Sequence, residues 1–272
     1  MKLLVILLTN LVYKNWSGGN PISAKLSLSG WFHWLNRLDR LNAQPLWLTL
    51  VIFTAVPVCL VFIVEFLFTQ WLAMIILHLV SLAILIACLG DWQNIRDRVD
   101  QGLALHPADS PQVLTNIASK LEEELLVSRF RQFFSPVTWY LLLGPTGLVI
   151  YFCCATFQQL SEGEEADDFA SGIMVYIDWV PIKLTTLLFT LTGNFVDTCA
   201  EWLDSLLKQD ESVGLLLMRA SRAAITVRVP DPETSENLRE DIEMEIEELV
   251  LLLDRTQWAM LGPAALVTII GF

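Results

Sequence analysis

The chain has 272 residues, of which 54% are hydrophobic and only 17% charged, and its mean hydropathy is +0.52. A net charge of −13 at pH 7 excludes general attraction to nucleic-acid phosphates or to anionic lipid head groups. The apolar residues lie in long uninterrupted runs, which soluble domains do not carry. The expected fold class is therefore all-α: a polytopic helical membrane protein, a single membrane domain with cytoplasmic amphipathic helices.

Met1 to Tyr13 is basic at Lys2 and then apolar, like the start of a signal peptide. No small-x-small cleavage site follows and Asn10 interrupts the run, so a retained, short membrane segment is expected. After a polar stretch over 14–44, residues 46–68 form the clearest span. They make about 35 Å of helix, enough to cross a hydrocarbon core of about 30 Å, with Pro57 placed to kink it. Thr69 and Gln70 turn the chain, and 71–90 return as a second span.

In the polar segment 91–136, Ser110-Pro111 reads as an N-cap with proline at the first helical position. Ile117, Leu121, Leu125, Phe130 and Phe133 then mark one apolar face. Residues 137–160 are a third span, broken by Gly144-Pro145-Thr146-Gly147, a break tolerated where neighbouring helices re-satisfy the backbone. Residues 173–195 are a weaker fourth, because they carry Asp178, Pro181 and Lys183, and 258–272 are short for a span. Between these two, in 196–257, Asp231-Pro232-Glu233 starts a helix in which Leu238, Ile242, Ile246, Leu249 and Leu253 recur at helical spacing. The opposite face is a wall of Glu and Asp, read as solvated surface.

Apart from Lys2 and Lys183, every basic residue falls in the segments 14–45, 91–136 and 196–257. The Thr69-Gln70 turn and the Ser161–Gly172 loop have none, and the latter holds Glu162, Glu164, Glu165, Asp167 and Asp168 instead. If the loops alternate sides, the positive-inside rule puts the three basic segments in the cytoplasm. The bilayer is then one partner, and 91–136 and 196–257 are the surfaces open to a cytoplasmic protein partner. Oligomeric state is not legible.

Glu65, His78, Asp178 and Lys183 interrupt apolar runs, and each is expected to face the bundle or water rather than lipid. Glu65 and His78 flank the tight turn between the first two spans, where Glu65 can reach water and His78 reads as a satisfied core histidine. Asp178-Trp179-Val180-Pro181-Ile182-Lys183-Leu184 is the most unusual polar cluster. Its proline removes a helical donor and frees a carbonyl. It reads either as a local ion pair stabilising a kinked helix or as a buried site for a polar ligand.

Cys59, Cys88, Cys153, Cys154 and Cys199 show no CxxC and no Cys/His metal spacing, and read as small apolar fillers. His33, His78 and His106 have no spacing partner. There is no GxxxxGK[ST], GxGxxG after a strand, HExxH or GxSxG, so no catalytic residue, metal or cofactor is assigned.

The run Phe133-Phe134-Ser135-Pro136-Val137-Thr138-Trp139, then Gly144, Gly147 and Tyr151, then Asp178 to Leu184 and Leu191-Thr192-Gly193, resembles the AmpE family. These are inner-membrane proteins associated with β-lactamase induction in Gram-negative bacteria, within the wider CobD/CbiB superfamily. The resemblance extends over most of the chain. The superfamily's synthases join an amino-alcohol phosphate to a corrinoid carboxylate using ATP. Where their polar motifs stand, this sequence has Val127, Ser128 and Arg131, then Ala155 and Gln158. Pro136, Gly147, Tyr151, Asp178, Pro181 and a basic residue at Lys183 survive. The resemblance thus implies the fold without the chemistry: a non-enzymatic inner-membrane regulator in which Asp178, Lys183, Pro181, Tyr151, Glu65 and His78 are the ligand-binding candidates. The alternatives are a synthase with a rearranged site and a small-molecule transporter built around Glu65, His78 and Asp178. The absence of an inverted repeat counts against the transporter.

Overall fold

A computed structural model describes residues 2–15, 45–67, 70–88, 111–161, 163–206, 212–225 and 238–270. Apart from single turn and cap residues these are helical, with no strand among the described residues. In chain order they are α1 (Lys2–Asn15), α2 (Leu46–Leu67), α3 (Gln70–Cys88), α4 (Pro111–Arg129), a π turn (Phe130–Phe134), α5 (Ser135–Leu160), α6 (Glu164–Thr192), α7 (Phe195–Leu206), α8 (Val213–Ala224), α9 (Leu238–Ala259) and α10 (Leu261–Ile270). Among the described residues, Leu46–Val64, Gln112–Leu160 and Glu164–Thr192 are long and apolar enough to cross a membrane, and Lys2–Val12 and Met74–Cys88 are shorter apolar helices. The protein is an all-α polytopic membrane protein.

The chain divides into two compact units. The first takes Met1–Gly90, Ser135–Asp178 and Ala264–Phe272, and the second Asp91–Phe134 and Trp179–Pro263. In the first unit α2 and α3 pack against α5 and against each other, and α1 packs on α3 and α5. Only 11% of the Leu46–Val64 stretch is buried, and Leu60, Phe62 and Leu79 face outward. Such an outward apolar surface suits lipid as solvent. Thr9 and Ser81 are buried instead, and Thr54 is half-buried. Thr9, Thr54 and Ser81 donate their hydroxyls to the carbonyls of Val5, Leu50 and Leu77 at 2.8, 2.9 and 2.8 Å, one turn back in their own helices.

Two boundaries differ from the sequence reading. Helix α6 begins at Glu164, inside the stretch read as a loop to Gly172. The reason is local: Glu164, Glu165 and Asp167 fall in its first turn, where carboxylates stabilise the positive end of the helix dipole. Gly163, at φ 100°, supplies the tight turn before it. The third span has no polar break before it either, because α4 runs through the π turn into α5. The π turn ends two residues before Pro136, whose ring would otherwise press on the carbonyl one turn back.

In the second unit α4, α8 and α9 pack together and α7 packs on α8. Ser212 caps α8, its hydroxyl accepting from the Leu215 N–H at 3.2 Å. The α6–α7 corner closes tightly on the end of α8, where the Asn194 N–H donates to the Ala224 carbonyl at 2.9 Å. The start of the last amphipathic helix, expected at Asp231, lies outside the described residues.

Candidate functional site

Asp178 is fully buried. It accepts a hydrogen bond from the Ser135 hydroxyl at 2.8 Å, which ties α6 to the first residue of α5. A buried carboxylate needs such donors, since desolvation otherwise costs several kcal/mol, on the order of the protein's whole stability. One residue away the proline effect is visible. Pro181 has no N–H to give to the carbonyl of Ile177, one turn earlier. The indole N–H of Trp139 donates to that carbonyl at 3.2 Å. Trp139 and Ile177 in turn pack on a cluster of Tyr151, Cys154 and Met174. Tyr151 therefore stands in the wall of this site as a buried core residue, 2% exposed.

The same device occurs once more in the first unit. Pro145 leaves the Leu141 carbonyl without a helical donor, and the Lys2 ammonium donates to it at 3.1 Å. Between them Gly144 takes φ 67° and ψ −151°, a conformation open to glycine.

Lys183 belongs to the second unit and has a partner of its own. Its ammonium donates to the Ser205 carbonyl of α7, and the Trp202 indole N–H donates to the Lys183 carbonyl at 3.0 Å. Asp178 is held by Ser135, and Lys183 straps α7 to α6. Of the remaining candidates, His78 lies on α3 with its Nδ1 2.7 Å from the Met74 carbonyl and its ring edge-on to Tyr140, at 6.3 Å between centroids. Glu65 lies on α2, and its side chain is outside the described residues.

The second unit holds a polar network that the sequence reading missed. Arg129, 1% exposed, donates to Gln257 and reaches Asp254 at 3.3 Å, joining α4 to α9. Arg222 of α8 pairs with the buried Glu122 of α4 at 2.9 Å and touches Ser119 at 3.3 Å. Glu245 of α9 is 3% exposed, and its Oε1 has no hydrogen-bond partner. Burial, and then the neighbouring Glu122, push its carboxyl up to about 7, while Arg222 pulls it down.

Two sequence readings are corrected here. The buried face of α4 runs through Ala118, Glu122, Leu125, Leu126 and Arg129, one position round from Ile117 and Leu121. Glu245 does not join the solvated acidic wall of α9. The available signal was spacing: Glu122 and Arg129 lie two turns apart, and Glu245 lies one turn after Ile242.

Among the described residues no group of three or more His, Cys, Asp and Glu side chains could hold a metal ion. Ser128 accepts from Gln132 at 2.8 Å, and Gln158 donates to Ser171 at 3.2 Å.

Residues 96–228 match the model of a family described as the regulatory signalling modulator protein AmpE. The chain is similar to that family over this stretch, which contains Glu122, Arg129, Ser135, Trp139, Tyr151, Asp178, Pro181, Lys183 and Arg222. It leaves out Glu65, His78 and Glu245. No curated protein and no solved structure matches the chain.

Proposed function

We propose that this protein is a non-enzymatic regulator of the bacterial inner membrane, whose output is β-lactamase induction and the response to cell-wall stress. The similarity of residues 96–228 to a regulatory signalling modulator carries this reading. The geometry supports it in two ways. Buried polar groups such as Ser135–Asp178 and Arg129–Gln257 fasten one helix to another, as expected of a scaffold that transmits a state. Where the synthases carry their polar motifs, Ser128 and Gln158 bond to neighbouring helix residues.

In this reading the spans are 46–68, 71–90, 137–160, 173–195 and 258–272, with the basic segments on the cytoplasmic side. Asp178 and Tyr151 of the first unit are candidates to hold a ligand, and 91–136 and 196–257 are the surfaces for a cytoplasmic partner. The test is deletion of the gene in its own bacterium, with nitrocefin hydrolysis measured after challenge by several β-lactams. Altered induction, restored by the wild-type gene, is expected. Unchanged induction across inducers overturns the reading. Reporter fusions after Gly90 and Lys208 are expected in the cytoplasm, and a periplasmic signal from either overturns the topology.

A further inference from the structure

Helix α9 has a second apolar stripe that its own unit does not cover. Its inward face uses Ile242, Ile246, Leu249 and Leu253, all buried. Met244, Leu251 and Trp258 lie on another face and are 50%, 48% and 46% exposed. They recur at every seventh residue, close to two helical turns, and so align along about 21 Å of helix. Exposed Glu240, Glu243, Glu247 and Asp254 border them, while the basic Arg255 reaches back to Glu248 at 3.7 Å.

This is half of a helix-pairing seam. In a seven-residue repeat the second apolar position falls three residues after the first, and here Glu247 and Asp254 occupy it. A second copy of α9 would set acid against acid, and an anionic membrane surface would be repelled in the same way. The complement is a helix with apolar residues at the same spacing and Lys or Arg beside them. We propose that α9 docks a basic amphipathic helix of a partner protein along Met244 and Leu251, with Trp258 closing the stripe at its membrane end, where the span 258–272 begins. The inference rests on the reading of the protein as a regulator that acts through a cytoplasmic partner.

The test uses the full-length protein in neutral phosphatidylcholine nanodiscs. The probe is a fluorescent Leu/Lys/Ala peptide of about three heptads, with leucine at the repeat positions. Its binding is read by anisotropy, with protein-free discs subtracted. The double substitution M244E/L251E adds negative charge but removes the apolar anchors. The seam predicts at least about tenfold weaker binding. Binding that is unchanged or tighter means attraction by charge alone and overturns the proposal, as does equal affinity for a permuted peptide of the same composition. Concentration-dependent dimers of the wild type that M244E/L251E abolishes assign the stripe to a second copy and overturn it as well. M244A/L251A, milder in its effect on folding, must weaken binding in the same direction. Absent binding with altered induction on gene deletion rejects this docking surface alone. Binding with unaltered induction rejects the regulatory reading and leaves the surface standing.

Discussion

Replacing Glu245 by glutamine tests whether the second unit holds a proton in its core. In the native fold this carboxyl is 3% exposed and one of its oxygens has no hydrogen-bond partner. It faces the buried Glu122 of α4 and Arg222 of α8, and its pKa rises from 4.5 to about 7. That rise, at 1.36 kcal/mol per pKa unit, corresponds to about 3 kcal/mol between the protonated and ionised forms. The folded pKa lies above the unfolded one, so the folded state binds the extra proton. The associated stability is fully present below about pH 4.5, declines as pH rises, and is lost once pH passes about 7. In detergent-purified protein the melting temperature of the wild type is expected to fall between about pH 5 and pH 8, and that of Glu245→Gln to stay nearly level over the same range. The two curves meet near pH 5, and by pH 8 the glutamine variant is the more stable. A variant whose melting temperature follows the wild type across the range, or lies below it at pH 8, refutes the argument.

Three further outcomes are expected. Ser135→Ala removes a donor from the fully buried Asp178, and is expected to cost about 1.5–3 kcal/mol, read as a lower melting temperature; an unchanged value contradicts the role given to that bond. Trp139→Phe leaves the Ile177 carbonyl without the indole and is expected to cost about 1 kcal/mol. Pro181→Ala restores an in-helix donor, so the Trp139→Phe penalty should shrink in that background, and an equal penalty in both denies the coupling. Gly193→Ala would put a methyl 2.6 Å from the Ala224 carbonyl oxygen, and a loss of about 1–3 kcal/mol by thermal melting is expected.

The helices were legible where periodicity or length decides. Leu46–Leu67 and Gln70–Cys88 follow from unbroken apolar runs, and Pro111 at the start of α4 follows from its missing N–H. The carbonyl freed by Pro181 was legible too, since it is a covalent property of proline. Its donor was not, because Trp139 lies on another helix and only packing brings the two together. Glu245 and Glu122 were hidden for a related reason. A glutamate beside apolar neighbours counts as surface by residue type, yet on α4 a rotation of the buried face by one position encloses Glu122, and on α9 Glu245 is buried next to the buried Ile246.

The prolines share a further regularity. Among the described residues the chain passes between its two units at Phe134/Ser135, Asp178/Trp179 and Pro263/Ala264. Pro136 and Pro181 lie within a few residues of the first two passages, and Pro263 lies at the third. At the first two the helical ladder loses a donor, and a helix there bends at lower cost than elsewhere, whereas Pro263 sits in the first turn of α10, where no in-helix bond is lost. Near the first passage the backbone takes a π turn, and near the second the Trp139 indole makes up the missing bond. The second passage falls between Asp178, which accepts from the Ser135 hydroxyl in one unit, and Lys183, which donates to the Ser205 carbonyl in the other.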